Sequence, residues 1–414
     1  MLYENKEEIE YVILVAVDTE AGGLSSYDAD ASLDELSELA NTAGAVVVGR
    51  LVQKLPHFNP ATYIGSGKID ELKTLIYAAN ATGIITDDEL SPSQMAKLSK
   101  ELDVKVMDRT MVILDIFAAH AVTSEGKMQV ELAQLEYRLS RLTGKGTSMS
   151  RLGGGIGTRG PGEKKLEQDR RVIRKRVAQL KREINDMTSH REITRHSREQ
   201  GRYPVFAIVG YTNVGKSTLL NALTGAGILA EDKLFATLDT TTRVYEYKKP
   251  AGKQKILLTD TVGFIRKLPH NLIDAFRSTL EEAKYADYII HVVDASSENR
   301  AAEMKVAYNT LDQLGITGKK VITIFNKIDK IIDEDMRMGL FDIRAVKYLS
   351  ISAKDGIGLD KLPEVIDSVL REDRQLIERI FDYNEMSKIS EIKQNGEVIE
   401  EEYRDDGIYI KAYF

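Results

Sequence analysis

The sequence contains no cysteine, which excludes disulfide bridges, thiolate catalysis and Cys-ligated zinc or iron–sulfur centres together. Histidine is scarce: the six residues are scattered and share no metal-ligating spacing. Long apolar runs are missing as well. The first strand-like run, residues 11–17, is short and preceded by Glu and Lys, so it reads as neither a signal peptide nor a membrane span. The expected location is cytoplasmic, with no membrane insertion. Nothing in the composition presses towards disorder, since 43% of residues are apolar and 29% charged, the ordinary balance of a globular chain. The net charge of −7 argues weakly against a nucleic-acid partner, but its distribution along the chain matters more than its sum.

A chain of 414 residues is expected to form two or three folded units. Over residues 1–125, β-rich runs at 11–17, 45–48, 83–86 and 104–106 are separated by helix-length segments, which predicts an α/β domain with parallel strands. Residues 126–200 differ. Met128, Leu132, Leu135, Leu139 and Leu142 follow 4-3-4-3 spacing, and Ile173, Val177, Leu180, Ile184 and Met187 repeat it. A Gly-rich stretch without apolar periodicity lies between, so an antiparallel helical hairpin with a flexible tip is predicted. Its second helix is dense in cations: Lys164, Lys165, Arg170, Arg171, Arg174, Lys175, Arg176, Lys181 and Arg182. Such a run is often a solvated helix face, but together with Arg159 in the Gly-rich tip it points to RNA. Residues 201–370 return to β/α alternation, and 371–414 form an acidic piece, with Glu400–Glu402 and a last strand at 407–414.

The third region carries the chemistry. An apolar strand at 205–209 runs into Gly210-Tyr211-Thr212-Asn213-Val214-Gly215-Lys216-Ser217 and then into an amphipathic helix. Glycines let the backbone wrap phosphates so that successive N–H groups and the helix N-terminus face negative oxygens. Lys216 is expected on the β- and γ-phosphates and the Ser217 hydroxyl on Mg²⁺. Roughly 110 residues further on, Asn326-Lys327-Ile328-Asp329 follows another apolar strand. Guanine offers adjacent N1–H and 2-amino donors that suit the acceptor-only Asp329 carboxylate, and Asn326 is expected to tie this loop to the phosphate cradle.

Asp260-Thr261-Val262-Gly263 places a carboxylate near the metal and a glycine whose N–H can meet the γ-phosphate. Ser352-Ala353-Lys354 would close over the base. In LFATLDTTTR a threonine should complete the Mg²⁺ shell; Thr237 is preferred, with Thr240, Thr241 and Thr242 as competitors. Phe264 stands where Ras-like enzymes carry the Gln that orients the attacking water. Intrinsic hydrolysis should therefore be slow, and faster when a partner orders the following segment. In the first domain, Tyr63-Ile64-Gly65-Ser66-Gly67-Lys68 lacks Walker spacing and reads as a turn that starts a helix, with a second nucleotide site as the alternative. Residues 89–94, ELSPSQ, read as a capped helix start.

These residues together resemble the HflX GTPases, translation-associated G proteins of the Era and Obg class. The resemblance spans most of the chain: YIGSGK, ELSPSQ, DRTMVILDIFAAHA, QVELAQLEYRLSRLTG, GGGIGTRGPGEKKLEQDRR, GYTNVGKSTLLNAL, LFATLDTTTR and DTVGFIRKLPHNLIDAFRSTLEEA all contribute. It implies a GTPase that binds the large ribosomal subunit and intact ribosomes, splits or rescues stalled ribosomes or assists subunit biogenesis, and brings the hairpin tip to ribosomal RNA. It also implies GTP contacts from Gly210 to Ser217, from Phe235, Ala236, Thr237, Leu238 and Asp239, from Asp260 to Gly263, from Asn326 to Asp329 and from Ser352 to Lys354. Ser217 and Thr237 would hold Mg²⁺, although many members carry Pro where this chain has Thr240.

The fold class expected is α/β: an N-terminal α/β domain with an antiparallel helical hairpin, a P-loop G domain with a Ras-like doubly wound sheet, and a small C-terminal α+β appendage. Lys216, Thr237 and Gly263 are the expected catalytic set, GTP and GDP the ligands, and a monomer the expected state. An RNA-remodelling NTPase with an ATP site in the first domain and a non-ribosomal signalling GTPase are the alternatives.

Overall fold

The computed structural model describes residues 9–19, 29–149, 161–196, 203–225, 234–235, 241–249, 252–268, 282–331 and 339–414, with the side chains of 143–149, 161–166, 188–196, 252, 394–395 and 397 outside the description. Contacts divide the chain into two compact units. The first comprises Met1–Ser189, Glu231–Asp239 and Arg266–Ser278; the second comprises His190–Ala230, Thr240–Ile265 and Thr279–Phe414.

In the first unit, β1 (Tyr11–Thr19), α1 (Ala29–Thr42), β2 (Val46–Leu55), α2 (Ser66–Ala79), β3 (Gly83–Thr86), α3 (Pro92–Leu102), β4 (Lys105–Asp108) and α4 (Arg109–His120) alternate along the chain. The strands form a parallel sheet in the order β2-β1-β3-β4. Continuous apolar strands such as YVILVAV belong in a sheet covered on both faces, and six consecutive residues of β1 are buried. Ile13, Val15, Leu51, Ile64, Leu72, Ile84 and Leu98 make one core on one side. Leu33, Leu36, Leu39 and Ala40 of α1 are buried as well, each large side chain contributing roughly 1.5–3 kcal/mol. Local chemistry sets the helix starts. Ser91 accepts from Gln94 N–H, while Gln94 Oε1 accepts from Ser91 N–H, closing a capping box with Pro92 at the first turn. Asp108 caps α4 through Met111 N–H.

Two long helices follow, α5 (Ser124–Met149) and α6 (Pro161–His196). As α6 advances from Arg170 to Arg176, its contacts retreat along α5 from the Leu142 carbonyl to Glu131, so the pair is antiparallel. Residues 150–160, which contain the Gly-rich tip and Arg159, lie outside the described residues.

The second unit contains β5 (Val205–Gly210), α7 (Lys216–Thr224), β6 (Thr241–Lys249), β7 (Gly252–Asp260), β8 (Tyr288–Asp294), α8 (Arg300–Gln313), β9 (Val321–Asn326), β10 (Lys347–Ser350) and α9 (Leu362–Glu372). Its six-stranded sheet has the order β10-β9-β8-β5-β7-β6, parallel except for the edge hairpin β6–β7. The sequence steps from β5 to one side for β6 and β7 and to the other for β8 to β10. A crevice at the carboxyl end of β5 follows from that reversal, and ligands bind at such points. A three-stranded antiparallel sheet completes the unit: β11 (Leu376–Phe381), β12 (Glu397–Arg404) and β13 (Gly407–Tyr413), in the order β11-β13-β12. Helix α10 (Met386–Asn395) packs Ile389 and Ile392 against Phe381, Ile408, Ile410 and Ala412.

Among the described residues no helix is long and apolar enough to cross a membrane.

Candidate nucleotide-binding site

Every residue of β5 is buried, which fixes where the following loop begins. Gly210 sits at φ +154°, and a Cβ there would stand 2.2 Å from the Val292 carbonyl oxygen. Gly215, at φ +91°, would place a Cβ 2.4 Å from Asn326 Nδ2. Both positions therefore demand glycine, one for its neighbouring strand and one for the guanine-side loop. Tyr211, Thr212 and Val214 are buried, and Asn213 adopts φ +60°.

Lys216 opens α7, and its Nζ donates to the Tyr211 carbonyl at 2.7 Å and to the Gly210 carbonyl at 3.3 Å. Burial pushes this ammonium down to about 8; Asp260 opposes the shift and Lys327 adds to it. An incoming phosphate would supply the negative charge this buried cation lacks.

Ser217 Oγ donates to Asp260 Oδ2 at 2.6 Å. Asp260 Oδ1 is buried with no hydrogen-bond partner among the described residues. Burial also pushes the Asp260 carboxyl up, against Lys216 and the Ser217 hydroxyl. A hydroxyl and a buried carboxylate with an unused oxygen fit a hard divalent cation that takes its remaining ligands from water and phosphate. Thr261 Oγ1 donates to the Ile208 carbonyl at 2.7 Å, and Val262 is buried. A Cβ on Gly263 would lie 2.8 Å from Thr212 Cα and 2.9 Å from Lys216 Nζ, so this backbone lies directly against the phosphate loop. Phe264 N–H donates to the Gly210 carbonyl and its carbonyl accepts from Thr212 N–H, at 3.0 and 2.8 Å.

Asn326, at the end of β9, joins three loops. Its Nδ2 donates to the Val214 carbonyl at 2.8 Å, and its Oδ1 accepts from Ala353 N–H at 2.9 Å. Lys327 turns through φ +63° and pairs with Asp294 at 2.8 Å, a partner the motif did not reveal although Asp294 ends the neighbouring β8. Ile328 and Asp329 start a 3₁₀ turn. The Ser352 hydroxyl beside Asp329 holds its exposed carboxyl below the usual range, keeping it an acceptor at neutral pH. Ser352 is buried and bridges to Ile357, while Lys354 is exposed.

The remaining expected contacts fall on other parts of the chain. Phe235 is buried at φ +56°, its ring edge-on to Phe117 at 4.7 Å within the first unit. Ala236, Thr237, Leu238, Asp239 and Thr240 lie outside the described residues. Thr241 and Thr242 belong to β6, where the Thr242 hydroxyl meets that of Thr259 at 2.9 Å. On α6, Arg170 donates to the Leu142 carbonyl at 2.6 Å, Arg176 pairs with Glu131 and Lys181 with Glu136 at 2.7 Å each, while Arg171, Arg174 and Lys175 are exposed. The side chains of Lys164 and Lys165 are outside the description. In the first domain, Gly65 N–H donates to Gln53 and Lys68 pairs with Glu71 at 2.8 Å, as a helix start would have it.

A buried strand, a glycine-built phosphate loop, a carboxylate beside the loop serine, and an Asn-Lys-x-Asp loop hydrogen-bonded to that cradle define a P-loop GTPase. Residues 205–327 match the family described as 50S ribosome-binding GTPase, residues 30–118 that described as GTP-binding GTPase N-terminal, and residues 120–198 that described as GTP-binding GTPase Middle Region. The GTPase HflX of Lacrimispora saccharolytica is 57% identical over 412 residues, covering 100% of this chain and 95% of that one. That of Caldanaerobacter subterraneus subsp. tengcongensis is 48% identical over 405 residues, covering 97% and 90%. A GTP-binding protein from Sulfolobus solfataricus, solved in complex with GDP, is 26% identical with a TM-score of 0.43 and coverage of 87% and 98%. The chain belongs to the HflX GTPase family and hydrolyses GTP.

Proposed function

We propose that this GTPase binds the large ribosomal subunit in its GTP-bound state and splits or rescues stalled ribosomes or assists subunit assembly. The observation that carries the reading is the basic face of α6, where Arg171, Arg174 and Lys175 are exposed, within a chain whose G domain matches the family described as 50S ribosome-binding. Cations held outward on a rigid helix suit a phosphate backbone, so the hairpin is the arm for ribosomal RNA, with Arg159, Lys164 and Lys165 towards its tip.

At the G site, Ser217 and Thr237 would hold Mg²⁺, which when bound supplies positive charge to the β- and γ-phosphate oxygens. Lys216 balances charge on the same phosphates, Gly263 N–H meets the γ-phosphate, and Asp329 accepts from the guanine edge. The Phe264 side chain has no hydrogen-bonding group to orient water, so the basal rate is slow and the ribosome accelerates it. Nucleotide state then sets ribosome affinity, because the segments holding Thr237 and Gly263 meet the γ-phosphate.

Co-sedimentation with purified large subunits and intact ribosomes, in GDP against a non-hydrolysable GTP analogue, tests this. Binding that requires the analogue and depletes the intact-ribosome peak supports splitting; binding that leaves the peak supports assembly or rescue. Absence of binding in both states removes the ribosomal reading and leaves the hydrolase.

A further inference from the structure

The first unit treats its inward-facing guanidinium groups differently. Arg109 pairs with Asp87 and Glu35 at 2.8 Å each, and Asp87 and Asp88 in turn pair with Lys267. Arg141 is held just as firmly but keeps donors in reserve. Its Nη2 donates to Asp108 Oδ2 at 2.6 Å and to the Leu90 carbonyl at 3.2 Å. Its Cζ lies 3.2 Å from the centroid of the Tyr137 ring, whose hydroxyl donates to the same carboxylate at 2.8 Å. Nη1 has one long contact, to Ser140 Oγ at 3.4 Å, and Nε is buried with no hydrogen-bond partner among the described residues. A guanidinium presents five N–H donors in a rigid fork, so this one is locked in place with part of the fork unspent.

Arg141 and Tyr137 line a cavity of about 530 Å³ where α3, α4, α5 and α6 meet. Most of the remaining wall is apolar: Met95 from α3, Met111 from α4, Leu142 from α5, and Val172 and Ile173 from α6. Heptad spacing would seal Leu142 and Ile173 into a helix seam, yet both are only half-buried, and Val172 is 68% exposed. Apolar walls around a few fixed polar groups, in a space of this size, are the make-up of a small-molecule site. The two thioethers adapt their shape and make favourable contacts with aromatic rings. Charge around the cavity is balanced: Asp108 answers Arg141, and Asp169 and Arg138 stand on the same lining with opposite signs. A polyphosphate would meet Asp169 here, and Glu89, whose Oε1 is 3.6 Å from Arg141 Nη2. The surroundings therefore suit an uncharged ligand.

We propose that this cavity binds a neutral aromatic molecule of one or two rings that carries a hydrogen-bond acceptor. The rings lie among the two methionines, Leu142, Val172 and Ile173, and the acceptor, a ketone or amide oxygen, meets Arg141 Nη1. Asp108 and Tyr137 fix the guanidinium before the ligand arrives, so binding has little side-chain ordering left to do. The site lies wholly within the first unit and depends on neither the nucleotide site nor a ribosomal role.

The test probe is prodan, a neutral dimethylaminonaphthalene bearing a propionyl ketone, whose emission moves to the blue in apolar surroundings. It is titrated into the full chain saturated with GDP and Mg²⁺, so that the nucleotide site is already filled. Binding should saturate at one probe per chain, with a dissociation constant on the order of tens of micromolar. Dimethylaminonaphthalene without the ketone should compete about tenfold more weakly, and the anionic dimethylaminonaphthoate should also compete less well than the ketone. Arg141→Lys keeps a charge for Asp108 and loses the fork, so the two neutral compounds should bind it alike. Val172→Glu sets a carboxylate on the cavity lining at an exposed helix position and should weaken prodan about fivefold or more. Tyr77→Glu, on α2 at a position 87% exposed, should leave binding unchanged. Absence of saturable binding, equal affinity for the ketone and its ketone-free analogue, preference for the naphthoate, a ketone preference that survives Arg141→Lys, or parental binding by Val172→Glu would each overturn the proposal.

Discussion

Asn326 and Val214, 112 residues apart, are joined by a 2.8 Å hydrogen bond from the Asn326 side-chain amide to the Val214 carbonyl. The same side chain receives Ala353 N–H at 2.9 Å, so the phosphate loop and both guanine-side loops share one buried carboxamide. Asn326→Ala removes both bonds and leaves Val214 O and Ala353 N–H unsatisfied, at about 1–3 kcal/mol per group. GTP and GDP affinity should fall together by roughly a hundredfold or more, as calorimetric titration would show. A loss confined to GTP would contradict this.

Asp329 selects the base through acceptor geometry. Asp329→Asn turns one acceptor into a donor, which conflicts with the guanine N1–H and 2-amino group and suits a carbonyl at the same ring position. GTP affinity should fall at least a hundredfold, with partial recovery for xanthosine triphosphate and no gain for ATP. Competition binding with the three nucleotides reads this out directly.

At Gly263 the limit is space rather than charge. An added Cβ meets Thr212 Cα at 2.8 Å and the Lys216 ammonium at 2.9 Å, and Thr212 backbone cannot easily move away. Gly263→Ala should retain GDP binding within a few-fold and lower hydrolysis by tenfold or more, about 1.4 kcal/mol of barrier. The comparison of GDP affinity with single-turnover rate separates the two effects.

Deep in the second unit, Asp342 accepts from Tyr308 and Thr323 hydroxyls at 2.5 and 2.6 Å and from Arg344 N–H at 3.0 Å. Burial pushes its carboxyl up, but His291, Thr323 and Tyr308 outweigh that and hold it far below the usual range. A carboxyl whose folded value is depressed stabilises the fold above its unfolded value of about 4 and loses that contribution as pH falls towards the folded one. Asp342→Ala should cost about 2–4 kcal/mol at neutral pH, and its gap from the parent in denaturant unfolding should narrow below about pH 4.

For the hairpin, replacing exposed Arg171, Arg174 and Lys175 with Gln should flatten the salt dependence of ribosome binding by about two to three in log–log slope. Arg170→Gln is the contrast: its guanidinium already serves the Leu142 carbonyl, so helix pairing suffers and the slope hardly changes. Equal slopes for all variants would remove the hairpin from the RNA contact.

What could be read in the chain beforehand was whatever is local. Continuous apolar strands ending in contiguous motifs, such as β5 before Gly210 and β9 before Asn326, are legible because one short segment supplies both burial and chemistry. The strand β6 is not, since TTRVYEYKK is an edge strand in which Tyr247 is the buried side chain and its polar residues resemble a loop. The same holds for β12, whose Glu-rich face is exposed. Arg109 and Asp87 escape for a different reason: single charged letters look like surface residues until partners 22 and 180 residues away are placed beside them.

The 180 residues between Asp87 and Lys267 also order events during synthesis. The N-terminal sheet emerges first, yet its interior carboxylates lack their second cation until much of the G domain has been made. A nascent chain stopped before Lys267 lacks the cation that pairs with Asp87 and Asp88, and limited proteolysis should open its N-terminal unit more readily than that of the full chain. Completion of that first unit is therefore a late event in the life of the chain, since its own residues resume at Arg266, well after the phosphate loop has been made.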